Sequence, residues 1–208
     1  MIPKEFAEFI SSMWFEENGG IIINKYEFNN ENIKLEVYLN SGDEEIENQI
    51  WEIDILKLKT EKFDIKWDTE IEILEDHFLL WEYIDNQTSI YFNGENKNAD
   101  NLLADIYRMH KKEFGNKFEI EKYLNDCMSL SDLCNSKSGL FAYGPKKILD
   151  KFFVCLEKHN RNPNFVKSNI NSKYKNETEI EIEKTLKLLR IGESYFIAEN
   201  FNFKQKSK

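Results

Sequence analysis

The chain has 208 residues and carries 28 Lys/Arg against 38 Asp/Glu, a formal net charge of −10. Hydrophobic residues make up 41% and aromatics 14%, so at this length a core can form without disulfide or metal staples, and a disordered polypeptide is excluded. No run of about 18 apolar residues occurs, so no membrane-spanning helix is expected.

The charge is uneven along the sequence. Residues 144–208 hold 14 Lys/Arg and 8 Asp/Glu, and the preceding residues hold 14 and 30. An acidic surface repels nucleic acid and draws basic partners. Cys127, Cys134 and Cys155 are odd in number and show no CxxC spacing, which reads as free thiols in a reducing compartment. Acidic Glu5 and Glu8 interrupt the first residues, so no signal peptide is expected and the reading is cytoplasmic.

The elements follow in order. Residues 3–17 predict one helix, with Phe6, Phe9, Ile10, Met13 and Trp14 on one face and Asn18-Gly19-Gly20 stopping it. A strand is predicted over 21–28, a turn at Asn29-Asn30, and a strand in which Ile33, Leu35, Val37 and Leu39 alternate with polar residues. An acidic loop spans 41–47. Over 49–59 the apolar parity switches after Ile55, which predicts a bulge there. Residues 67–73 read as a strand with Trp67, Ile71 and Ile73 inward, and 78–84 with 89–93 as a hairpin turning at Asp85-Asn86. A helix is predicted over 98–114, ended by Gly115, and a short helical piece over 119–125. Gly144-Pro145 opens a further helix whose buried stripe is Ile148, Leu149, Phe152, Phe153 and Leu156. Strands return after Pro163, with Glu177, Glu179, Glu181 and Glu183 on one face and a hairpin turn at 191–194. Strands in consecutive runs predict an α+β fold: an antiparallel, meander-like sheet with three to four helices packed on it, in a single domain over 1–203, with a disordered tail at 204–208.

Few residues suggest chemistry. His110 lies on an apolar helix face and is a candidate acid/base group. Asp76-His77 are neighbours in sequence, but adjacent strand residues point to opposite faces. His77, His110 and His159 stand far apart, so no metal site and no cofactor is expected. Gly144, Lys146 and Lys147 form a candidate anion site, because two lysines in a first helical turn oppose the macrodipole unless an anion sits there. The acidic residues Asp43, Glu44, Glu45, Asp68, Glu70 and Glu72 are candidates for binding a basic partner.

The segments Asp76–Tyr83, Leu103–His110, Lys122–Asn125 and Gly139–Pro145, within 76–156, resemble a pattern of uncharacterised bacterial proteins to which no activity attaches. In size, acidity and fold class the chain is similar in type to the immunity proteins of bacterial toxin systems, which implies sequestration of a protein partner. The expectation is a non-enzymatic acidic binding protein with a basic protein partner, of the immunity type. Two alternatives stand beside it. One is an enzyme or ligand-binding domain using His110 and the Gly144–Lys147 helix start. The other is a subunit of a larger bacterial assembly, with Trp14 or Trp81 at an interface.

Overall fold

A computed structural model describes residues 1–64, 66–94, 98–167, 172–175, 178–181 and 185–206. In chain order the elements are α1 (Lys4–Ile10), α2 (Met13–Asn18), β1 (Gly20–Asn29), β2 (Asn32–Asn40), β3 (Gln49–Lys62), β4 (Ile71–Leu74), α3 (Phe78–Ile84), β5 (Gln87–Asn93) and α4 (Ala99–Phe114). A 3-10 turn at Ile120–Tyr123 follows, then α5 (Leu130–Asn135), β6 (Ser138–Pro145), α6 (Lys146–Lys158), β7 (Asn164–Lys167), β8 (Ser172–Lys175), β9 (Thr178–Glu181), β10 (Lys187–Ile191) and β11 (Ser194–Gln205). The fold is α+β, and every described strand pairing is antiparallel. Among the described residues no helix is long and apolar enough to cross a membrane. The chain forms two compact units, Met1–Leu80 with Thr185–Lys208, and Trp81–Lys184.

The first unit is built on a six-stranded sheet ordered β1-β2-β3-β11-β10-β4. Strict alternation in β2 buries Ile33, Leu35, Val37 and Leu39 on the face that meets Trp51, Ile53 and Ile55 of β3. The parity switch in β3 is a bulge. Lys57 takes φ +55, and the register against β11 skips Lys59, so Thr60 opposes Ile197 while Leu58 opposes Ala198. The bulge keeps Leu58 on the core after the alternation would have turned it away. The sheet curls until its edges touch. Ile21 N–H donates to Asp68 O at 2.6 Å, and Asp68 N–H donates to Ile21 O at 3.1 Å, tying β1 to the segment that enters β4.

Phe6, Phe9 and Phe15 fill the concave side. Phe6 stands edge-on to Trp51 at 5.2 Å and to Phe203 at 5.6 Å. Each such side chain contributes about 1.5–3 kcal/mol by leaving water. The single helix predicted for 3–17 is two helices. Ser12 Oγ donates to Phe9 O at 2.7 Å, and the chain turns at Ser11-Ser12, which lets Phe9 and Phe15 face the same core. The tail is ordered further than predicted: β11 runs to Gln205, and Lys206 N–H donates to Ile50 O at 2.9 Å.

Residues 78–84 are helix α3, not a hairpin strand. A run of seven with Glu82 as its one charged residue has no decisive period, and its start settles the matter: His77 Nδ1 accepts the Leu79 N–H at 3.3 Å, the place of an N-cap. Trp67 does not face the core; its ring lies over Gly20, where a Cβ would meet Trp67 Cε2 at 2.0 Å.

The second unit carries a three-stranded sheet ordered β6-β5-β7. Helix α6 packs on β5 and β6 through Ile148, Leu149, Phe152 and Leu156, and α4 packs on α6. Asn98 caps α4 by accepting the Asn101 N–H at 3.2 Å, and Gly115 at φ +61 ends it. Helix α5 and strand β6, for which the sequence predicts nothing, occupy 130–145. The glutamate row of 177–183 has its side chains outside the described residues, as does the end of the tail.

Arg161 is the largest fully buried side chain of the described residues, at 0% exposure. It donates to Cys134 O at 2.8 Å and to Ser136 O, and its guanidinium lies 4.5 Å from the centre of the Phe92 ring. These carbonyls close the C-terminus of α5, where a cation meets the negative end of the helix dipole. No carboxylate partner stands among the described residues, and burial lowers the guanidinium pKa from its ordinary value. Arg161 thus ties α5, β5 and the end of α6 together. Replacing it with methionine leaves two carbonyls without a donor. Arg161→Met is expected to destabilise by about 3 kcal/mol, read as a lowered urea midpoint.

Candidate functional site

The acidic residues separate into two groups. Asp43, Glu44 and Glu45 form the exposed tip of the β2–β3 loop, and no cation pairs with them among the described residues. The tip is held from below. Ser41, almost fully buried, has its Oγ 2.8 Å from Asp43 O and 3.0 Å from Ile46 O, and its N–H donates to Asn48 Oδ1 at 2.7 Å. Asp43 Oδ1 accepts the Glu45 N–H at 2.8 Å. Glu70 and Glu72 are different: both pair with Arg190, Glu70 at 3.3 Å and Glu72 at 2.5 Å, so one guanidinium offsets one of their two charges. Asp68 packs over Gly192, where a Cβ would fall 1.4 Å from Asp68 Oδ2, and its backbone pairs with Ile21.

The stretch Asn18–Ile21 brings several of these together. Gly42, at φ +74, lies against the backbone of Asn18, Trp67 lies on Gly20, and Asp68 pairs with Ile21. Exposed Glu16 and Glu17 directly precede Asn18. The segments that carry Glu16, Glu17, Asp43, Glu44, Glu45 and Asp68 thus meet at Asn18–Ile21, beside a tryptophan that is 49% exposed, and Lys66 next to it pairs with Asp64 at 2.6 Å. Sequence reading found the loop acids but missed Glu16, Glu17 and Trp67. Gly20 and Gly42 were the available signal: the first allows the close approach of the indole, and the second its own approach to Asn18.

At the start of α6 the Lys147 N–H donates to Asp85 Oδ2 at 2.7 Å. The chain's own carboxylate stands where the sequence analysis places an external anion. Lys146 Nζ bonds both oxygens of Asp150, at 2.7 and 2.9 Å, and lies 4.8 Å from the centre of Phe165. Lys147 Nζ lies 5.4 Å from the Trp81 ring centre. Both ammonium groups thus lean off the helix axis. Gly144, at φ +157, lies under the Tyr123 ring, 2.5 Å from where its Cβ would be.

His110 is 7% exposed and stands edge-on to Phe114 at 5.4 Å and to Phe118 at 5.2 Å. Its Nε2 is buried without a hydrogen-bond partner. Burial lowers its pKa, with Lys111 acting in the same direction and Glu121 against it. A cavity of about 520 Å³ opens beside it, lined by α4 and the 115–120 loop. Lys146 and Lys147 do not line this cavity, so His110 and the α6 start do not form one pocket.

A polar cluster absent from the sequence reading joins α4 to α6. Asp105 Oδ2 lies 3.0 Å from His159 Nε2 and 2.7 Å from Lys158 Nζ, and Asp105 Oδ1 lies 3.1 Å from Arg108. Lys158, His159 and Arg108, with the first the strongest, hold the Asp105 carboxyl far below the usual range. The neighbouring Cys155 thiol is buried and its pKa is pushed up, first by burial and then by Asp105. A thiol so placed stays protonated and is a poor nucleophile. Among the described residues no group of three or more His, Cys, Asp or Glu could hold a metal ion.

Two outcomes follow from these geometries. Removing the α6 cap with Asp85→Ala is expected to cost about 1 kcal/mol in chemical denaturation. The lowered pKa of His110 means that the unfolded chain binds its proton more readily. Its contribution to stability is therefore complete above the unfolded value of about 6.5 and is lost as pH falls through the folded value. The urea midpoint is expected to fall more steeply between about pH 7 and pH 5 in the native chain than in His110→Phe; equal slopes would exclude this origin.

No protein-family model, no curated protein and no solved structure matches this chain.

Proposed function

We propose that the first unit is a non-enzymatic binding module that receives a basic protein partner at its Trp67 end, a role of the immunity type. The observation that carries this reading is where the charge lies. The first unit holds 12 Lys/Arg against 22 Asp/Glu and the second holds 16 against 16, so the whole excess of −10 belongs to the first unit. The basic character of residues 144–208 does not survive folding as a separate surface, because β10 and β11 return to the acidic unit.

The Trp67 end has the composition of a recognition surface. A seated, half-exposed indole is the side chain most often found to dominate an interface, and surrounding carboxylates accelerate encounter with a cationic partner. The loop that carries Asp43, Glu44 and Glu45 is already hydrogen-bonded through Ser41 and Asn48, so little ordering remains to oppose binding. The enzymatic alternative has less support. The α6 amide is capped by Asp85, and His110 belongs to a different pocket.

The immobilised protein, exposed at low salt to lysate of its source cells, is expected to retain a basic protein that elutes as salt is raised. The triple variant Asp43→Lys, Glu44→Lys, Glu45→Lys is expected to abolish retention, and Trp67→Ala to weaken it by about 2 kcal/mol. A partner held equally by the charge-reversed variant, or indifferent to salt, contradicts the proposal.

A further inference from the structure

Of the four tryptophans, three are engaged. Trp51 is buried in the core, Trp14 stands edge-on to Phe9 and Phe15, and Lys147 lies over Trp81. Trp67 is the exception, with 49% of its surface exposed. Its indole is seated on one side only. A Cβ on Gly20 would fall 2.0, 2.2 and 2.3 Å from three adjoining ring atoms, Cε2, Nε1 and Cζ2, so the ring lies face-on to that glycine and its exposure belongs to the far face and the rim. No cation of the chain lies over this ring among the described residues, although Lys147 and Arg161 cover Trp81 and Phe92 in the second unit.

The charges beside the indole, taken with the partners they already have, favour a cation. Lys66 is spent on Asp64, at 2.6 Å. Asp68 makes no ion pair among the described residues: its Oδ1 accepts the Thr69 N–H at 3.1 Å, and its other oxygen packs over Gly192. Asp64, by its hydrogen bond and then by charge, raises the Lys66 pKa, and Glu193 and Asp68 act in the same direction, so all three carboxylates are felt at the residue next to the indole. An anion is repelled from such a face. Of the two basic side chains, arginine suits it better. An ammonium group is compact and strongly hydrated, whereas a guanidinium is planar, weakly hydrated and stacks on aromatic faces. Indole is the ring whose face attracts a cation most.

We infer that the Trp67 end recognises arginine: a guanidinium of the partner stacks on the open face of the Trp67 indole, in the negative field of the first unit. This rests on the proposed reading that a basic partner docks at this end, and it narrows that partner to one presenting an arginine at its contact surface. Gly20 belongs to the site. Its backbone lies outside the left-handed region, so what it supplies is room, and a side chain there meets the ring.

The test uses the full chain labelled with nitrogen-15 in tryptophan, whose four indole N–H signals resolve individually, that of Trp67 being assigned with Trp67→Phe. The probes are three end-blocked peptides in which glycine alternates with arginine, with lysine of the same charge, or with citrulline, which keeps the plane and lacks the charge. The arginine peptide is expected to move the Trp67 signal and leave those of Trp14, Trp51 and Trp81 in place. The lysine peptide is expected to bind roughly threefold more weakly and the citrulline peptide not to bind. In Gly20→Ala, where the other three indole signals report an intact fold, the arginine peptide is expected to bind no better than the lysine peptide. Trp67→Leu, which leaves Gly20 in place, is expected to erase the same preference. An unmoved Trp67 signal, or equal affinity for lysine and arginine, overturns the inference and leaves salt-sensitive capture of a basic partner standing. Citrulline bound as well as arginine overturns the role of charge. Capture that proves indifferent to salt, with Trp67 still preferring arginine, contradicts the proposed function and not the arginine seat.

Discussion

The pairing of β11 with β3 is the constraint on which the first unit depends. It joins the two longest strands of the sheet, over Trp51–Lys62 and Tyr195–Gln205, and the whole second unit intervenes in sequence between them. Without it the sheet falls into a β1-β2-β3 meander and a separate β4-β10-β11 piece, neither of which surrounds Phe6, Phe9 and Phe15. Closing so long a loop costs only slowly increasing entropy, but it must be met before the contacts repay it, so this ladder is expected to form late. The bulge at Lys57–Lys59 belongs to the same constraint. It includes the left-handed Lys57, a backbone conformation that costs a non-glycine residue strain.

The legible parts of the fold were those with a strong local period or a strong stop signal. The alternation Ile33-Leu35-Val37-Leu39 left no freedom about which face is buried, and the bulge after Ile55 followed from arithmetic on parity. Helices α4 and α6 carried long apolar stripes between Asn98 and Gly115 and after Pro145. The run Phe78–Ile84 was illegible because every residue but Glu82 is apolar, so periods of 2 and 3.6 fit it alike, and only the His77 cap decided it. Strand β6 was hidden for the opposite reason. Its sequence Ser138-Gly139-Leu140-Phe141-Ala142-Tyr143-Gly144-Pro145 has glycine at both ends and no alternation, and the bulge against Ile90 and Tyr91 absorbs the irregularity. The break at Ser11-Ser12 was visible as two serines but carries no glycine or proline to announce it.

The candidate sites were less legible than the fold, because charge is counted along a chain and felt across a surface. Glu70 and Glu72 look the same as Glu44 and Glu45 in sequence. One pair shares Arg190, which lies more than a hundred residues away and offsets one of its two charges, and the other stands uncompensated on a loop. The lysines of the α6 start looked like half of an anion site. Their partner was sixty-two residues upstream at Asp85, in the turn after α3. Both cases share a cause: a helix terminus or a row of carboxylates has a fixed electrostatic need, and folding meets many such needs from distant parts of the same chain.

The same reasoning separates the chain's three polar clusters by what they can do. Around Asp105 the cations Lys158 and Arg108 and the ring of His159 already surround the carboxylate, and Cys155 beside it is held protonated, so the cluster locks α4 to α6 and has nothing left to give a substrate. Around Arg161 both terminal nitrogens of the guanidinium end on carbonyls at the end of α5, which makes it a strut, while its Nε is buried without a partner. At His110 a buried ring nitrogen is likewise without a partner, and Glu121 acts on the ring more strongly than Lys111 does. Unmet polar groups are rare in folded chains because each one costs stability. The acidic end of the first unit follows the same logic in charge rather than in hydrogen bonds. The segments that carry six carboxylates meet beside an indole there, and Lys66, next to that indole in sequence, is paired with Asp64. What a folded chain leaves uncompensated, at a cost to itself, is where an external partner has the most to contribute.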